Sequence, residues 1–190
     1  PEQTIDPVVA AAQIVTALQT IVSRNIAPLK PAVVSVTSIH AGTAFNIIPQ
    51  TAALNGTIRT FEPEVRKLVH QRFEQITRGI ASSMNCEVEI TIKQVTAPVV
   101  NNEAVTERVL KAAQSLLPES EIETNSYLTM GAEDMGYMQE KVDGCYFMVG
   151  SANDEKKLNY NHHHPKFDFD EQVLITGAAL MATAAADLLK

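Results

Sequence analysis

The chain has 190 residues, 45% of them hydrophobic, which is enough for one well-filled domain or two small ones. Its net charge is −7 and it has no basic cluster, so nucleic acid and anionic membranes are not expected as partners, and a small molecule or a protein fits better. Cys86 and Cys145 lie far apart and form no CxxC pair, which indicates neither a disulfide framework nor a thiolate metal site and favours the reducing cytoplasm. No charged-then-apolar leader precedes the first helix and Pro1 is not an initiator methionine, so we expect the sequence to begin inside a longer or processed product.

The first hundred residues show the pattern of a small α+β domain. Asp6 as N-cap and Pro7 at the first helical position predict a helix that ends near Arg24. The elements that follow are strands at Ala32–His40 and Thr51–Phe61, a helix opened by Glu62-Pro63, and a strand at Cys86–Val95 with clean alternation. This order is that of a ferredoxin-like βαββαβ unit that lacks its first strand.

Such a sheet has helices on one face only, so its open face is where a binding site is expected. Leu54 and Ile58 share the core face of their strand, which places Asn55, Thr57 and Arg59 on the open face. The missing first strand would lie inside the sheet, so its loss exposes two strand edges. Either another segment fills the gap or the remaining strands pair again, including between subunits.

A turn-rich stretch at 97–102 is the predicted domain boundary, which gives domains at 1–100 and 101–190. The second domain is predicted to contain a helix at Glu103–Leu116, a short strand near Ile122, a helix at Ala132–Glu140, a strand at Cys145–Gly150 and a terminal helix. Alternating helix and strand is typical of a parallel α/β sheet. The apolar stretch Val173–Leu189 is short for a membrane span and contains Asp187, so we interpret it as a buried helix.

Three adjacent histidines, His162 to His164, precede Pro165 in a polar stretch. Imidazole is the commonest protein ligand for divalent transition metals, so the run is a candidate metal site. A solvated loop without a role, or an adventitious metal trap, is the alternative that composition alone leaves open.

Several short motifs occur in one order along the chain. They are Thr4-Ile5-Asp6-Pro7, Gly42-Thr43-Ala44-Phe45-Asn46-Ile47-Ile48-Pro49, Gly56-Thr57-Ile58-Arg59-Thr60-Phe61, Met130-Gly131-Ala132-Glu133-Asp134-Met135 and His163-His164-Pro165-Lys166-Phe167-Asp168. As an ordered set they closely resemble the C-terminal half of the dinuclear metal amidohydrolases of the aminoacylase and carboxypeptidase G type. The nearest branch resembles the hippurate, N-acyl-amino-acid and indole-acetyl-amino-acid hydrolases.

The resemblance implies a fold of class α/β plus α+β and a hydrolase that acts on small N-acyl or N-aroyl amino acids. Residues 1–100 would be an incomplete ferredoxin-like lid or dimerisation domain, and residues 101–190 the C-terminal segment of an α/β metallopeptidase-like catalytic domain. Two divalent ions, manganese, zinc or nickel, would activate a water molecule and polarise the amide carbonyl in the parent enzyme. A homodimer through the lid domain is also implied.

The resemblance assigns His163 as the last metal ligand of the family, with His162 and His164 as its neighbours. The other ligands and the Glu general base match positions upstream of Pro1, so no catalytic residue is expected in this chain. A single catalytic zinc already takes three protein ligands, so the chain alone is predicted to be inactive and to need the missing N-terminal half.

The same resemblance assigns Asn46 and Arg59 to the substrate. An Arg fork pairs with a carboxylate, and an amide donates to an oxyanion without adding charge. Without the family context, Arg59 is more simply a solvated strand residue. Gly131 and Ala132 would bring their backbone close to the substrate, and Ala132 departs from the usual second glycine, which removes easy access to positive φ. The competing hypothesis is a non-catalytic α+β dimerisation or ligand-binding module with an incidental histidine loop.

Overall fold

A computed structural model describes residues 1–124 and 128–189. The chain divides into two compact units, Pro1–Gln94 and Val95–Lys190, and each combines helices with extended or irregular segments. The division lies close to the turn-rich stretch at 97–102. The assignment of residues 1–100 as a lid and 101–190 as a catalytic segment stays a prediction.

The first unit begins with helix α1 (Pro7–Thr20). The Asp6 carboxylate accepts hydrogen bonds from the backbone N–H groups of Val8 and Val9 at 2.9 and 3.3 Å, which satisfies two amides that a helix start leaves free. A π-helical turn, Ile21–Asn25, continues the helix to the residue after Arg24. The predicted helix and both of its ends are confirmed.

Both predicted strands are confirmed as β1 (Ala32–Ala41) and β2 (Ala52–Thr60). They pair with each other as an antiparallel hairpin. The pairing runs from Ala32 opposite Thr60 to Ala41 opposite Ala52, with a β-bulge between Val36 and Ser38. Gly56 packs against this bulge so closely that a Cβ atom would lie 2.2 Å from the Ser35 carbonyl oxygen.

Helix α2 (Pro63–Ser83) completes the core of the first unit. The core consists of Ile14, Leu18, Ile21, Ile26, Val34, Val65 and Val69. Leu54 and Ile58 of β2 pack against it, while Asn55 and Thr57 are exposed. The hairpin therefore has a helix-covered face and an open polar face, as the sequence pattern predicts.

The predicted strand at Cys86–Val95 is wrong, because this segment pairs with no neighbour in the described part of the chain. Its alternation nevertheless persists: Cys86, Val88 and Ile90 are half-buried, whereas Glu87 and Glu89 are exposed. A strand needs a hydrogen-bonded neighbour, and none lies beside this segment among the described residues. The described sheet is the β1–β2 hairpin, so the complete ferredoxin-like architecture stays a prediction.

The second unit contains helices α3 (Glu103–Leu116), α4 (Met135–Gln139) and α5 (Val173–Leu188), with a 3-10 turn at Glu119–Glu121. The Asn102 side chain caps α3 by accepting from the Val105 amide at 3.0 Å. The core lies between α3 and α5 and consists of Val109, Ala112, Ala113, Leu180 and Ala184. Helix α4 is shorter than the predicted span from Ala132 to Glu140.

The predicted strands near Ile122 and at Cys145–Gly150 are also wrong, since neither segment is a strand in the structure. The Asn101 side chain bonds to both backbone groups of Tyr146, donating to its carbonyl at 2.8 Å and accepting from its amide at 2.7 Å. One side chain thus satisfies the groups that a neighbouring strand would satisfy in a parallel sheet. Within residues 95–124 and 128–189, the predicted sheet is not formed.

The interpretation of the terminal apolar stretch as a buried helix is correct only in part, because Leu180 and Ala184 are the buried residues of α5. Leu174, Ile175 and Met181 are more than half exposed. Within the described residues, no helix has the length and apolar character that crossing a membrane requires.

Candidate metal and substrate site

Residues 151–170 form a closed loop that carries the three histidines. The Asp170 amide donates to the Ser151 carbonyl at 2.9 Å, which joins the two ends of the loop. The Asp170 carboxylate accepts from Asn153 Nδ2 at 2.6 Å and from Lys156 Nζ at 2.9 and 3.0 Å. An antiparallel bridge between Asn153 and Leu158 tightens the same end. We refer to Asn153, Lys156 and Asp170 as the loop clamp.

The hydrogen bond from Lys156, followed by those from Asn153 and the Gln172 amide, lowers the pKa of the Asp170 carboxyl below its ordinary value. Asp170 is therefore ionised at neutral pH. Its side chain is only 16% exposed, so the ion pair with Lys156 is more shielded from water than a surface pair.

At the far end of the loop, the outer two histidines are held by other rings. His164 stacks on Tyr160 with ring centroids 4.4 Å apart, and its Nδ1 accepts from the Lys166 amide at 3.1 Å. His162 meets Phe167 edge to face at 4.9 Å.

His163 differs from both neighbours. Its backbone is in the left-handed region, with φ of 67°, which is uncommon for a residue with a side chain. Its ring is exposed and makes no hydrogen bond, ion pair or ring contact within the described residues. Among the three imidazoles, His163 is the one without a ring contact or a hydrogen bond in the described part of the chain.

The described residues can supply one ligand of a metal centre, but not the whole ligand set. Within residues 1–124 and 128–189, no group of three or more His, Cys, Asp or Glu side chains converges as a metal site. An exposed, unengaged imidazole suits one coordination position, and a catalytic site needs more protein ligands than this.

Asn46 lies in the loop that joins β1 to β2. The loop leaves β1 through Gly42, whose φ of 65° favours a residue without Cβ. The exposed Asn46 lines a shallow open groove together with Asp6, Val8, Phe45, Ile47, Ile48 and Pro49. Its amide makes no hydrogen bond within the described residues, so it is available to a ligand.

Arg59 lies on β2 opposite Val33, at the end of the hairpin remote from Asn46. It is half-buried. About 20 Å of strand separates it from the loop, at roughly 3.3 Å per residue. The hairpin therefore carries both predicted substrate residues but does not bring them together.

Gly131 and Ala132 precede α4 in the second unit and are exposed. The Gly131 amide donates to Thr129 Oγ1 at 3.1 Å. Neither residue has a positive φ, so alanine at position 132 imposes no backbone strain. The Glu133 carboxylate fixes this segment by accepting from the Asp134 amide at 2.8 Å and from the Tyr146 hydroxyl at 3.0 Å.

Sequence reasoning missed the loop clamp and the ring partners Tyr160 and Phe167. The Lys-rich turn at 153–158 was a weak signal for the clamp. The ring pairs join residues four or five apart in a loop without regular periodicity, so no pattern indicated them.

The sequence matches Peptidase family M20/M25/M40 over residues 2–187. The chain belongs to this family. It is 37% identical over 186 residues to thermostable carboxypeptidase 2 of Saccharolobus solfataricus, with 97% of this chain and 46% of that protein covered. It is 35% identical over 191 residues to the hippurate hydrolase of Campylobacter jejuni, with 100% and 48% covered.

Among solved structures, the chain resembles the Bacillus subtilis YXEP protein, described as a dinuclear metal binding peptidase from the M20 family. The TM-score is 0.75 at 29% identity, over 97% of this chain and 47% of that one. The predicted family of metal-dependent hydrolases is confirmed. This M20 chain spans about half the length of the relatives it matches.

Proposed function

We propose that this chain is the C-terminal half of a metal-dependent amidohydrolase that cleaves the amide bond of small N-acyl or N-aroyl amino acids. Three observations support the proposal: the family match over nearly the whole chain, the available imidazole of His163, and the polar residues of the β1–β2 hairpin. The observation that carries it is the family match, because it covers residues 2–187.

In the proposed enzyme, His163 holds one of two divalent ions. Bound metal ions of this type lower the pKa of a water molecule and polarise a carbonyl oxygen. The chain's own contribution is an imidazole held at the tip of a clamped loop. Manganese, zinc and nickel are the proposed ions, and imidazole suits them.

The substrate is proposed to contact both ends of the hairpin. Asn46 donates its amide N–H to the carbonyl oxygen as negative charge develops there, and Arg59 pairs with the free carboxylate of the amino acid. In a homodimer, the two residues that contact one substrate molecule can come from different subunits, which accommodates the distance between Asn46 in the loop and Arg59 near the end of β2.

The chain alone is proposed to be inactive. It offers one candidate metal ligand in its described part, and its family relatives are about twice as long. The proposed upstream half supplies the remaining ligands and the general base.

Arg59 gives the most direct functional test of the substrate class. In the longer protein loaded with metal, Arg59→Ala is expected to lower kcat/KM for N-benzoylglycine about 10- to 100-fold, because a charge-assisted hydrogen bond contributes about 1.5–3 kcal/mol. Hydrolysis of N-benzoylglycinamide, which lacks the carboxylate, is expected to change little. Thr57→Ala, on the same face of β2, is the matched control and should leave both rates unchanged.

Asn46→Ala is expected to lower kcat for both substrates about 100-fold or more, because it removes an oxyanion donor. Equal activity of wild type and both variants would count against the roles of Asn46 and Arg59. No hydrolysis and no metal binding by the longer protein would instead favour a non-catalytic module.

A further inference from the structure

Resting on the proposed role of His163, we infer that Tyr160 and His164 are positioning residues, which hold the histidine loop so that His163 alone binds the metal ion. The contacts of these two residues would select one of three adjacent imidazoles as the ligand.

Tyr160 stacks on the ring of His164. Ring centroids 4.4 Å apart with planes inclined by 11° give an extended face-to-face contact. The Lys166 Nζ atom lies 5.8 Å from the Tyr160 ring centroid, which is within the range of a cation–π contact. The His164 ring is therefore fixed between a tyrosine and the following turn of backbone.

One ring nitrogen of His164 is already engaged in a hydrogen bond. Its Nδ1 already accepts from the Lys166 amide at 3.1 Å, so a metal ion bound through Nδ1 would break this bond and leave that amide without its partner. The same turn is closed by a Phe167 amide that donates to the His164 carbonyl at 2.9 Å. His164 is thus part of the support of the loop.

His163 lies between two histidines whose rings are held by aromatic contacts. With His162 against Phe167 and His164 against Tyr160, the residue between them takes the left-handed conformation and its ring is exposed. A non-glycine residue is uncommon in this region because its side chain strains the backbone, so the contacts on either side must maintain it. A ligand fixed before the ion arrives binds more tightly than one that must be ordered on binding.

The test is retention of metal by the longer protein during dialysis against increasing chelator, measured as metal content per chain. Tyr160→Ala is expected to lose metal at a chelator concentration at least about tenfold lower than wild type, as for other residues that orient ligands. Tyr160→Phe keeps the ring and is expected to match wild type. Equal retention by Tyr160→Ala and wild type would overturn the inference.

His164→Phe separates support from coordination, because phenylalanine can stack on Tyr160 but cannot bind a metal. It is expected to retain metal more strongly than His164→Ala. If His164→Phe loses metal as completely as His163→Ala, His164 is a ligand and the inference is wrong. If His163→Ala keeps all its metal, the proposed role of His163 as a ligand is wrong. That outcome differs from equal retention by Tyr160→Ala and wild type, so the two failures can be told apart.

Discussion

Gly56 shows how one small residue fixes the register of the hairpin. It lies opposite Val36 at the bulge, and a Cβ atom there would meet the Ser35 carbonyl oxygen at 2.2 Å. The backbone of β1 cannot move away from this atom without breaking the hydrogen bonds between β1 and β2. Gly56 is therefore required by the close approach of β1.

Gly56→Ala is expected to lower the free energy of unfolding by about 1–3 kcal/mol, since the added methyl group overpacks the strand pair. Gly79→Ala is the matched control, because Gly79 lies on the exposed side of α2 and its added Cβ would meet no atom within 4 Å apart from the neighbouring backbone of its own helix. That change is expected to stabilise the helix by about 0.5–1 kcal/mol. Urea unfolding measures both, and equal effects of the two substitutions would contradict the packing described for Gly56.

Asp170 gives a pH-dependent prediction. Its donors favour the ionised form and lower its pKa, so its contribution to stability is complete above its ordinary value of 3.8 and is lost as the pH falls through the lowered value. The difference in unfolding free energy between wild type and Asp170→Asn should be constant near neutral pH and shrink in strong acid. A difference that begins to shrink above pH 5 would contradict the lowered pKa.

The sequence indicates candidate site residues, but it does not indicate the contacts that these residues make. Motifs indicated His163, Asn46 and Arg59, and the structure shows an available imidazole, an available amide and a half-buried guanidinium at these positions. The stack of Tyr160 on His164 depends on how an irregular loop folds back, which no local periodicity encodes.

At the scale of elements, local signals predicted α1, β1, β2, α2 and α3 because caps, prolines and helical stripes are properties of the segment itself. The strands predicted at Cys86–Val95 and Cys145–Gly150 failed because pairing depends on a neighbour. A correct alternation, as in Val88 and Ile90, predicts which side is buried but not whether a ladder forms.

The segment 87–95 yields a prediction for hydrogen exchange. None of its amides donates to a backbone carbonyl within the described residues, whereas β1 and β2 pair with each other on both sides of the bulge. In the 190-residue chain, these amides should exchange at least about tenfold faster than the amides that donate across the hairpin from β1 to β2 or from β2 to β1. In the longer protein they should become protected, because an added strand would pair with them. Strong protection already present in the short chain would contradict an unpaired segment.

At the scale of the whole molecule, two compact units each leave apolar surface uncovered. Phe45 is fully exposed in the first unit, and Leu174, Ile175 and Met181 are exposed on α5 in the second. A helix that is apolar all round is usually buried, so these surfaces fit a chain that matches about half of its relatives' length.

The most direct measurement is an anomalous difference map from crystals of the longer protein grown with zinc or manganese. The account predicts two metal peaks, with one ring nitrogen of His163 about 2.0–2.2 Å from one of them and the ring of His164 still stacked on Tyr160. A map in which the His163 ring contacts no metal ion, while the metal sites are occupied by other residues, would contradict the account.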